Sequence, residues 1–157
     1  RTAAAGRTRD EGATTTLLEA LAGAVAAGEY EVRIVASVAP ANPADAALTH
    51  EAVSKTFTVD NVRPRVEVTV RPGAVGAGKA TMNAALTDET SVLHSAEYAI
   101  DSGEWERVRP NDGIFDTRAE TLTVELADLA PGEHTVTVRA TDESGNVGAG
   151  RRTFSVK

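Results

Sequence analysis

The stretch LAPGEHTVTVRATDESGN, residues 129–146, carries the clearest structural pattern in the chain. It opens with Pro131-Gly132, and such a pair is typical of a turn because proline presets φ and glycine tolerates positive φ. Apolar side chains then occupy every second position, at Val136, Val138 and Ala140. A period of two places these side chains on one face of a strand. The turn-forming residues 142–146 end the pattern, so the stretch predicts a half-buried β-strand between two turns.

A second occurrence of the same pattern indicates an internal repeat. Residues 12–38 align with residues 116–142 at an offset of 104, and residues 56–59 align with residues 153–156 at an offset of 97. The loop inside the first copy is therefore 7 residues longer, because 104 − 97 = 7. We interpret the alignment as two tandem copies of one β-module.

The second copy, residues 62–157, contains a complete set of predicted strands. Runs with apolar side chains at alternate positions are separated by turns rich in Pro, Gly, Asn and Asp. The alternating positions are Val66, Val68 and Val70; Ala80, Met82, Ala84 and Leu86; Ala96, Tyr98 and Ile100; Val108; Leu122, Val124 and Leu126; His134, Val136, Val138 and Ala140; and Phe154 and Val156. About seven short strands at this spacing predict an antiparallel β-sandwich. The chain is thus expected to be all-β, with tandem sandwiches of which the first is incomplete.

The first copy, residues 1–61, has counterparts only for the last three strands of the module. Three strands would leave one apolar face uncovered and strand edges unpaired. The missing half would come from sequence upstream of Arg1, from another chain, or from an unrelated packing of residues 1–27. A short helix over residues 15–25 stays open as an alternative to a strand, because Leu17, Leu18, Leu21 and Val25 follow helical spacing.

Composition and charge exclude several classes of protein. The β-branched residues Val and Thr number 18 and 19 of the 157 residues, which favours strands over helices. The formal net charge of −7 argues against a protein that reads a nucleic-acid backbone. No run of 18 apolar residues occurs, so no membrane span is predicted. The chain has no cysteine, which excludes disulfides and thiolate metal sites. It opens at Arg1 without an initiating Met, so we expect a processed chain or a piece of a longer one.

Several motifs resemble those of bacterial fibronectin type III and immunoglobulin-like repeats. Residues 129–146 are similar to the region that joins the fifth and sixth strands of these modules, and residues 57–64 are similar to the VDNxxP joint between successive repeats. Together with residues 98–105, the pattern also resembles the three-tyrosine domain that follows β-propellers in bacterial sensor proteins. The resemblance implies an immunoglobulin-like sandwich. It departs at His134, where the family has tyrosine, whereas the first copy keeps Tyr30.

No catalytic motif points to an enzyme. The sequence contains no HExxH, GxSxG, GxxxxGK[ST] or GxGxxG pattern. The three histidines, His50, His94 and His134, lie in different predicted elements, and His134 occupies the structural position of the family tyrosine. We therefore predict a chain without catalytic residues.

Loop carboxylates and amides are the candidate metal ligands. Hard oxygen donors of the kind that Ca²⁺ prefers occur at the joint and in the last hairpin loop, at Asp60, Asn61, Asp142, Glu143 and Asn146. The chain lacks the regular spacing of a calcium-binding loop, and Asp and Asn are ordinary turn residues. The joint and the loop are also expected at opposite ends of the second module. Solvated turns are the favoured interpretation; a Ca²⁺ ion is the alternative, and no other cofactor is expected.

Tyr98 and Trp105 are the candidate ligand-binding aromatics. Aromatic faces can stack on sugar rings, so these two side chains could form a carbohydrate platform. Tyr98 belongs to the inward apolar set, and Trp105 follows a tight turn. With only six aromatic residues in the chain, both are expected in the core between the two sheets.

The function expected from the sequence is mechanical. We predict a non-catalytic spacer or interaction module of a larger secreted or surface bacterial protein, with a periplasmic location as a variant. Its partners would be neighbouring domains upstream of Arg1 and other protein subunits, with no nucleic acid. Two alternatives stay open: a filament or oligomer subunit completed by strands from another chain, and a carbohydrate-binding module.

Overall fold

A computed structural model describes residues 25–37, 48–73 and 77–157. The chain divides into two compact units, Arg1–Asp60 and Asn61–Lys157. All regular elements in the described ranges are β-strands, which confirms the all-β fold class. None of the described segments forms a helix with the length and apolarity to cross a membrane. Except for Val25, the possible helix over residues 15–25 lies outside the described residues, as does most of the segment 1–27.

Within residues 25–37, 48–73 and 77–157, the two units contain eleven strands. The first unit contains β1 (Gly28–Tyr30), β2 (Arg33–Ser37), β3 (Thr49–Val53) and β4 (Phe57–Val59). The second unit contains β5 (Arg65–Pro72), β6 (Ala80–Thr87), β7 (Leu93–Ile100), β8 (Glu106–Val108), β9 (Ala119–Leu126), β10 (Gly132–Asp142) and β11 (Val147–Val156). The seven strands of the second unit fall where the alternating positions predict them.

The second unit is a sandwich of two antiparallel sheets. One sheet has the order β5-β6-β9, and the other has the order β11-β10-β7-β8. Side chains from both sheets form a single hydrophobic cluster, with Met82, Leu86 and Leu122 from the first sheet and Val136 and Val138 from the second. The alternation in β6 is complete, because each core residue is followed by a more exposed one. Burying a large apolar side chain contributes about 1.5–3 kcal/mol, so this shared core stabilises both sheets together.

Two glycines of β11 let this strand approach β5 closely. A Cβ atom on Gly148 would overlap the carbonyl oxygen of Pro64, and one on Gly150 would overlap that of Val66. Any side chain would therefore push the edges of the two sheets apart. Glycine is therefore required at Gly148 and Gly150 for close approach of the two backbones.

In the described part of the first unit, the strands form two short ladders. β1 pairs with β4 through Gly28↔Val59 and Tyr30↔Phe57, whereas β2 pairs with β3 in a register displaced by one residue. Ser54 lies where the register changes between the two ladders. Its N–H donates to Val32 O at 2.8 Å, and its Oγ accepts from Val32 N at 2.9 Å.

The ladder of β2 and β3 is exposed on both faces. Ile34 and Val35 point to opposite faces of β2, as neighbours in a strand do, yet each is 53% exposed. Every residue of β3 is exposed as well. Within the described ranges, no second sheet covers this ladder, which explains why its apolar residues stay in contact with solvent.

We predict that Gly148→Ala destabilises the second unit, since the new methyl group must displace the backbone at Pro64. The expected loss is about 2 kcal/mol in the free energy of unfolding, measured by urea denaturation. Ala149→Ser changes the exposed neighbouring residue and should leave stability unchanged. Equal stability of the two variants would show that β5 and β11 do not pack as described.

Candidate functional site

Three segments meet at one end of the second unit. Arg65 at the start of β5 pairs with Thr87 at the end of β6, and Asp142 at the end of β10 pairs with Leu93 at the start of β7. The loop 88–92 connects β6 to β7 and therefore lies at this end, together with residues 61–64 and the loop 143–146. The expectation that the joint and the last hairpin loop lie at opposite ends is wrong. Its physical reason is strand direction: β5 begins at the end where β10 finishes.

Two buried carboxylates at this end lie close to each other, those of Asp88 and Asp142. Asp88 is 8% exposed and Asp142 is 1% exposed. A carboxylate oxygen of each lies within 4.8 Å of one of the other. We call these two residues the acid pair. Burying two like charges so close together is unfavourable, unless a proton or a cation compensates them.

The loop 88–92 fixes the position of Asp88. Its Oδ1 accepts hydrogen bonds from the backbone N–H groups of Thr90 and Ser91, both at 2.9 Å. Its own N–H donates to Arg118 O at 2.8 Å. This is the geometry of an Asx turn, in which the side chain replaces a backbone acceptor. One oxygen of the carboxylate is thus used to hold the loop.

Asp142 is held by Asn146, one of its predicted companions. Asn146 donates from its backbone N to Oδ1 at 2.8 Å and from Nδ2 to Oδ2 at 2.9 Å. The side chain of Glu143 is exposed, and its N–H donates to Val92 O at 2.9 Å. The structure therefore brings Asp142 and Asn146 together and links their loop to the loop 88–92.

The remaining predicted ligands lie at the boundary of the units. Asp60 is the last residue of the first unit and is half-buried, whereas Asn61 begins the second unit and is exposed. Asp88 is the residue that the sequence analysis missed. Its only local signal is the Asp-x-Thr-Ser pattern of an Asx turn, and its partner Asp142 is distant in sequence.

The acid pair has no basic partner in the described part of the chain. None of the ion pairs found there includes Asp88 or Asp142. Asp88 Oδ2 and Ser91 Oγ are buried, and neither has a hydrogen-bond partner among the described residues. The result is a buried, oxygen-rich centre of negative charge.

A second acidic cluster consists of Asp112, Asp116 and Glu120, whose ligand atoms also lie within 4.8 Å of one another. The two aspartates are exposed, and only Glu120 is buried. Glu120 Oε1 accepts from Thr117 N at 3.1 Å and from Thr117 Oγ1 at 2.7 Å. This buried oxygen is satisfied by its own turn and needs no ion.

His134 forms the same kind of hydrogen bond in the second unit as Tyr30 forms in the first. Its Nε2 donates to Ala130 O at 2.7 Å, four residues upstream. In the first unit, the hydroxyl of Tyr30 donates to Ala26 O over the same sequence separation and at the same 2.7 Å. His134 also packs near Phe154 with ring centroids 5.8 Å apart. The corner bond is thus preserved although the residue type differs.

Two oxygen acceptors favour the charged form of His134. Its Nδ1 lies 2.6 Å from Asp101 Oδ2, so both ring nitrogens face acceptors, and a hydrogen on each nitrogen satisfies both bonds. The hydrogen bond to the Ala130 carbonyl, followed by that to Asp101, raises the pKa of His134 above its ordinary value of 6.5. Hydrogen bonds from Thr135 N–H and then from His134 lower the pKa of Asp101. The other two histidines are exposed: His50 lies in β3 and His94 in β7.

The two candidate aromatics occupy different environments. Tyr98 packs against the core as expected, and its hydroxyl donates to Glu106 Oε2 at 2.8 Å. Burial and then Glu106 raise the pKa of Tyr98.

Trp105 is 41% exposed, so the prediction that it lies in the core is wrong. It precedes Glu106, which pairs with Tyr98, and the alternation of side chains turns Trp105 to the outer face. Arg139 Cζ lies 4.1 Å from the centroid of the Trp105 ring. The guanidinium group therefore covers one face of the ring on which a sugar would stack.

We predict that His134 makes stability pH-dependent. Because the pKa is raised in the folded state, the charged imidazole contributes stability below about pH 6.5 that is lost as pH rises through the raised pKa. His134→Tyr should introduce the hydroxyl that Tyr30 has in the first unit and remove this dependence. Urea denaturation between about pH 5.5 and 8.5 measures the difference, with His94→Gln as the exposed control. An unchanged slope in His134→Tyr would contradict the assignment.

Comparison with known proteins finds one partial similarity for this chain. No family model matches it. Over 105 residues, 66% of the chain, the sequence is 31% identical to Halomucin of Haloquadratum walsbyi (strain DSM 16790 / HBSQ001). The match spans only 1% of the length of Halomucin.

Proposed function

We propose that this chain is a non-catalytic spacer and interaction module of a larger secreted or surface protein. The observation that carries the proposal is the second unit, in which seven strands bury one shared core. A unit of this kind keeps its length because the shared core holds its two sheets together. The similarity over 105 residues to Halomucin supports the same role.

The two units also support an arrangement of successive modules. β4 ends at Val59 and β5 begins at Arg65, so a short segment that contains Pro64 joins them. Tyr30 pairs with Phe57 and His134 pairs with Phe154, and both corner residues bond to a carbonyl four residues upstream. These shared features support the tandem immunoglobulin-like or fibronectin type III-like interpretation, and the three-on-four division of sheets is compatible with it. The bacterial origin stays a prediction.

A spacer must resist extension, and force spectroscopy of the full chain tests this directly. We expect one sharp unfolding event for the second unit, with a gain in contour length of roughly 30 nm. Leu86→Ala removes a fully buried side chain and should lower the unfolding force, whereas Ala85→Ser at the exposed neighbouring position should not. Gradual extension without a distinct event would contradict the mechanical role.

A second candidate function is that of an oligomer subunit completed by strands from another chain. The observation that favours it is the exposed ladder of β2 and β3, which leaves Ile34, Val35 and Val53 each 53% exposed. Exposed apolar strands are templates for pairing with another chain.

Light scattering after size-exclusion chromatography distinguishes the two candidates. The spacer proposal predicts a monomer of 16.3 kDa. A multiple of this mass would support the second candidate if it reverts to the monomer in Ile34→Thr. Val147→Thr changes a similarly exposed residue of β11 and serves as the control.

A further inference from the structure

We propose that Asp88 and Asp142 bind one Ca²⁺ ion at the end of the second unit where β6 and β10 finish. The acid pair is the most deeply buried carboxylate pair in the described part of the chain. The inference concerns a metal site and stands independently of the spacer role.

The first argument is the uncompensated charge. Asp88 and Asp142 are more than nine-tenths buried, and neither forms an ion pair in the described ranges. Buried carboxylates in proteins are normally paired with a base or bound to a metal ion. Two carboxylate oxygens within 4.8 Å of each other can be bridged by one cation, since Ca²⁺–oxygen distances are about 2.3–2.6 Å.

The second argument is a buried oxygen that has no donor. Asp88 Oδ1 is satisfied by the N–H groups of Thr90 and Ser91, but Oδ2 has no hydrogen-bond partner among the described residues. Ser91 Oγ, in the same loop, is buried and equally without a described partner. Leaving a buried acceptor unpaired is costly, and a cation would satisfy the carboxylate oxygen.

The chemistry of the donors selects the metal. The acid pair supplies only hard carboxylate oxygens, which suit Ca²⁺ and Mg²⁺ rather than zinc or copper. Mg²⁺ requires near-ideal octahedral geometry and keeps several of its waters, whereas Ca²⁺ accepts irregular sets of carboxylate, carbonyl and water oxygens. A buried site assembled from two loops therefore favours Ca²⁺.

The position of the acid pair gives the ion a structural role. Asp88 follows β6 of the three-stranded sheet, whereas Asp142 ends β10 of the four-stranded sheet. An ion held by both residues would join the two sheets at this end. The chain has no cysteine, so a disulfide cannot provide this connection. Ca²⁺ would stabilise the sandwich by binding only the folded state.

The test uses the full chain after metal removal with EDTA and buffer exchange. We expect Ca²⁺ in large excess over its dissociation constant to raise the melting temperature by about 5 °C or more. Titration calorimetry should give one Ca²⁺ per chain, and Mg²⁺ and Na⁺ at matched ionic strength should have a much smaller effect. In Asp88→Asn both the binding and the thermal shift should disappear. Asp112→Asn removes an exposed carboxylate of the second acidic cluster and should respond to Ca²⁺ like the wild type.

The metal-free proteins provide a further readout. Without Ca²⁺, Asp88→Asn should melt no lower than the wild type, because the substitution removes one of two close like charges. The absence of calorimetric binding and of a thermal shift in the wild type at millimolar Ca²⁺ would overturn the proposal. An equal response to Mg²⁺ would overturn the choice of metal, and loss of the response in Asp112→Asn would overturn its location.

Discussion

The burial of one apolar face from each of two sheets is the constraint on which the second unit depends. Its strands supply small and medium side chains, mostly Ala, Val and Leu, with Met82 and Phe154 as larger members. Neither sheet could cover its own apolar face, so each is stable only against the other. The glycines of β11 also bring the two sheets together, because they let the edge strands β5 and β11 approach closely.

The described strands of the first unit show what happens without such a partner. They form two-stranded ladders, and the apolar residues of β2 and β3 remain exposed. An isolated two-stranded ladder is marginally stable in water. The expectation of half a module comes from the internal repeat, in which residues 1–61 match only the last three strands of the module. The contrast supports the proposal that the second unit carries the mechanical load.

The sequence predicts most of the second unit because strand alternation is a local signal. Apolar residues at every second position located six of the seven strands, and β6 shows this alternation in its burial pattern. The turn signal at residues 101–103 located the remaining strand, which runs through Val108. The errors come from contacts between distant residues. From the sequence, Asp88 looks like an ordinary turn residue. Its proximity to Asp142 becomes visible only in the structure, where β10 pairs with β7. The sequence around Trp105 has no apolar residues at alternate positions, so it does not show on which face of the sheet the side chain lies. The register change at Ser54 depends on a bond to Val32 across the ladder.

The second unit is a cysteine-free sandwich that is stabilised by a shared core and carries the acid pair at one end. We expect both of its sheets to unfold together. Native-state hydrogen exchange measures this directly in the full chain. The account predicts that the slowest amides of β6 and β10 exchange with the same free energy, equal to that of global unfolding. Distinct free energies for the two strands would show that the sheets do not share one cooperative core.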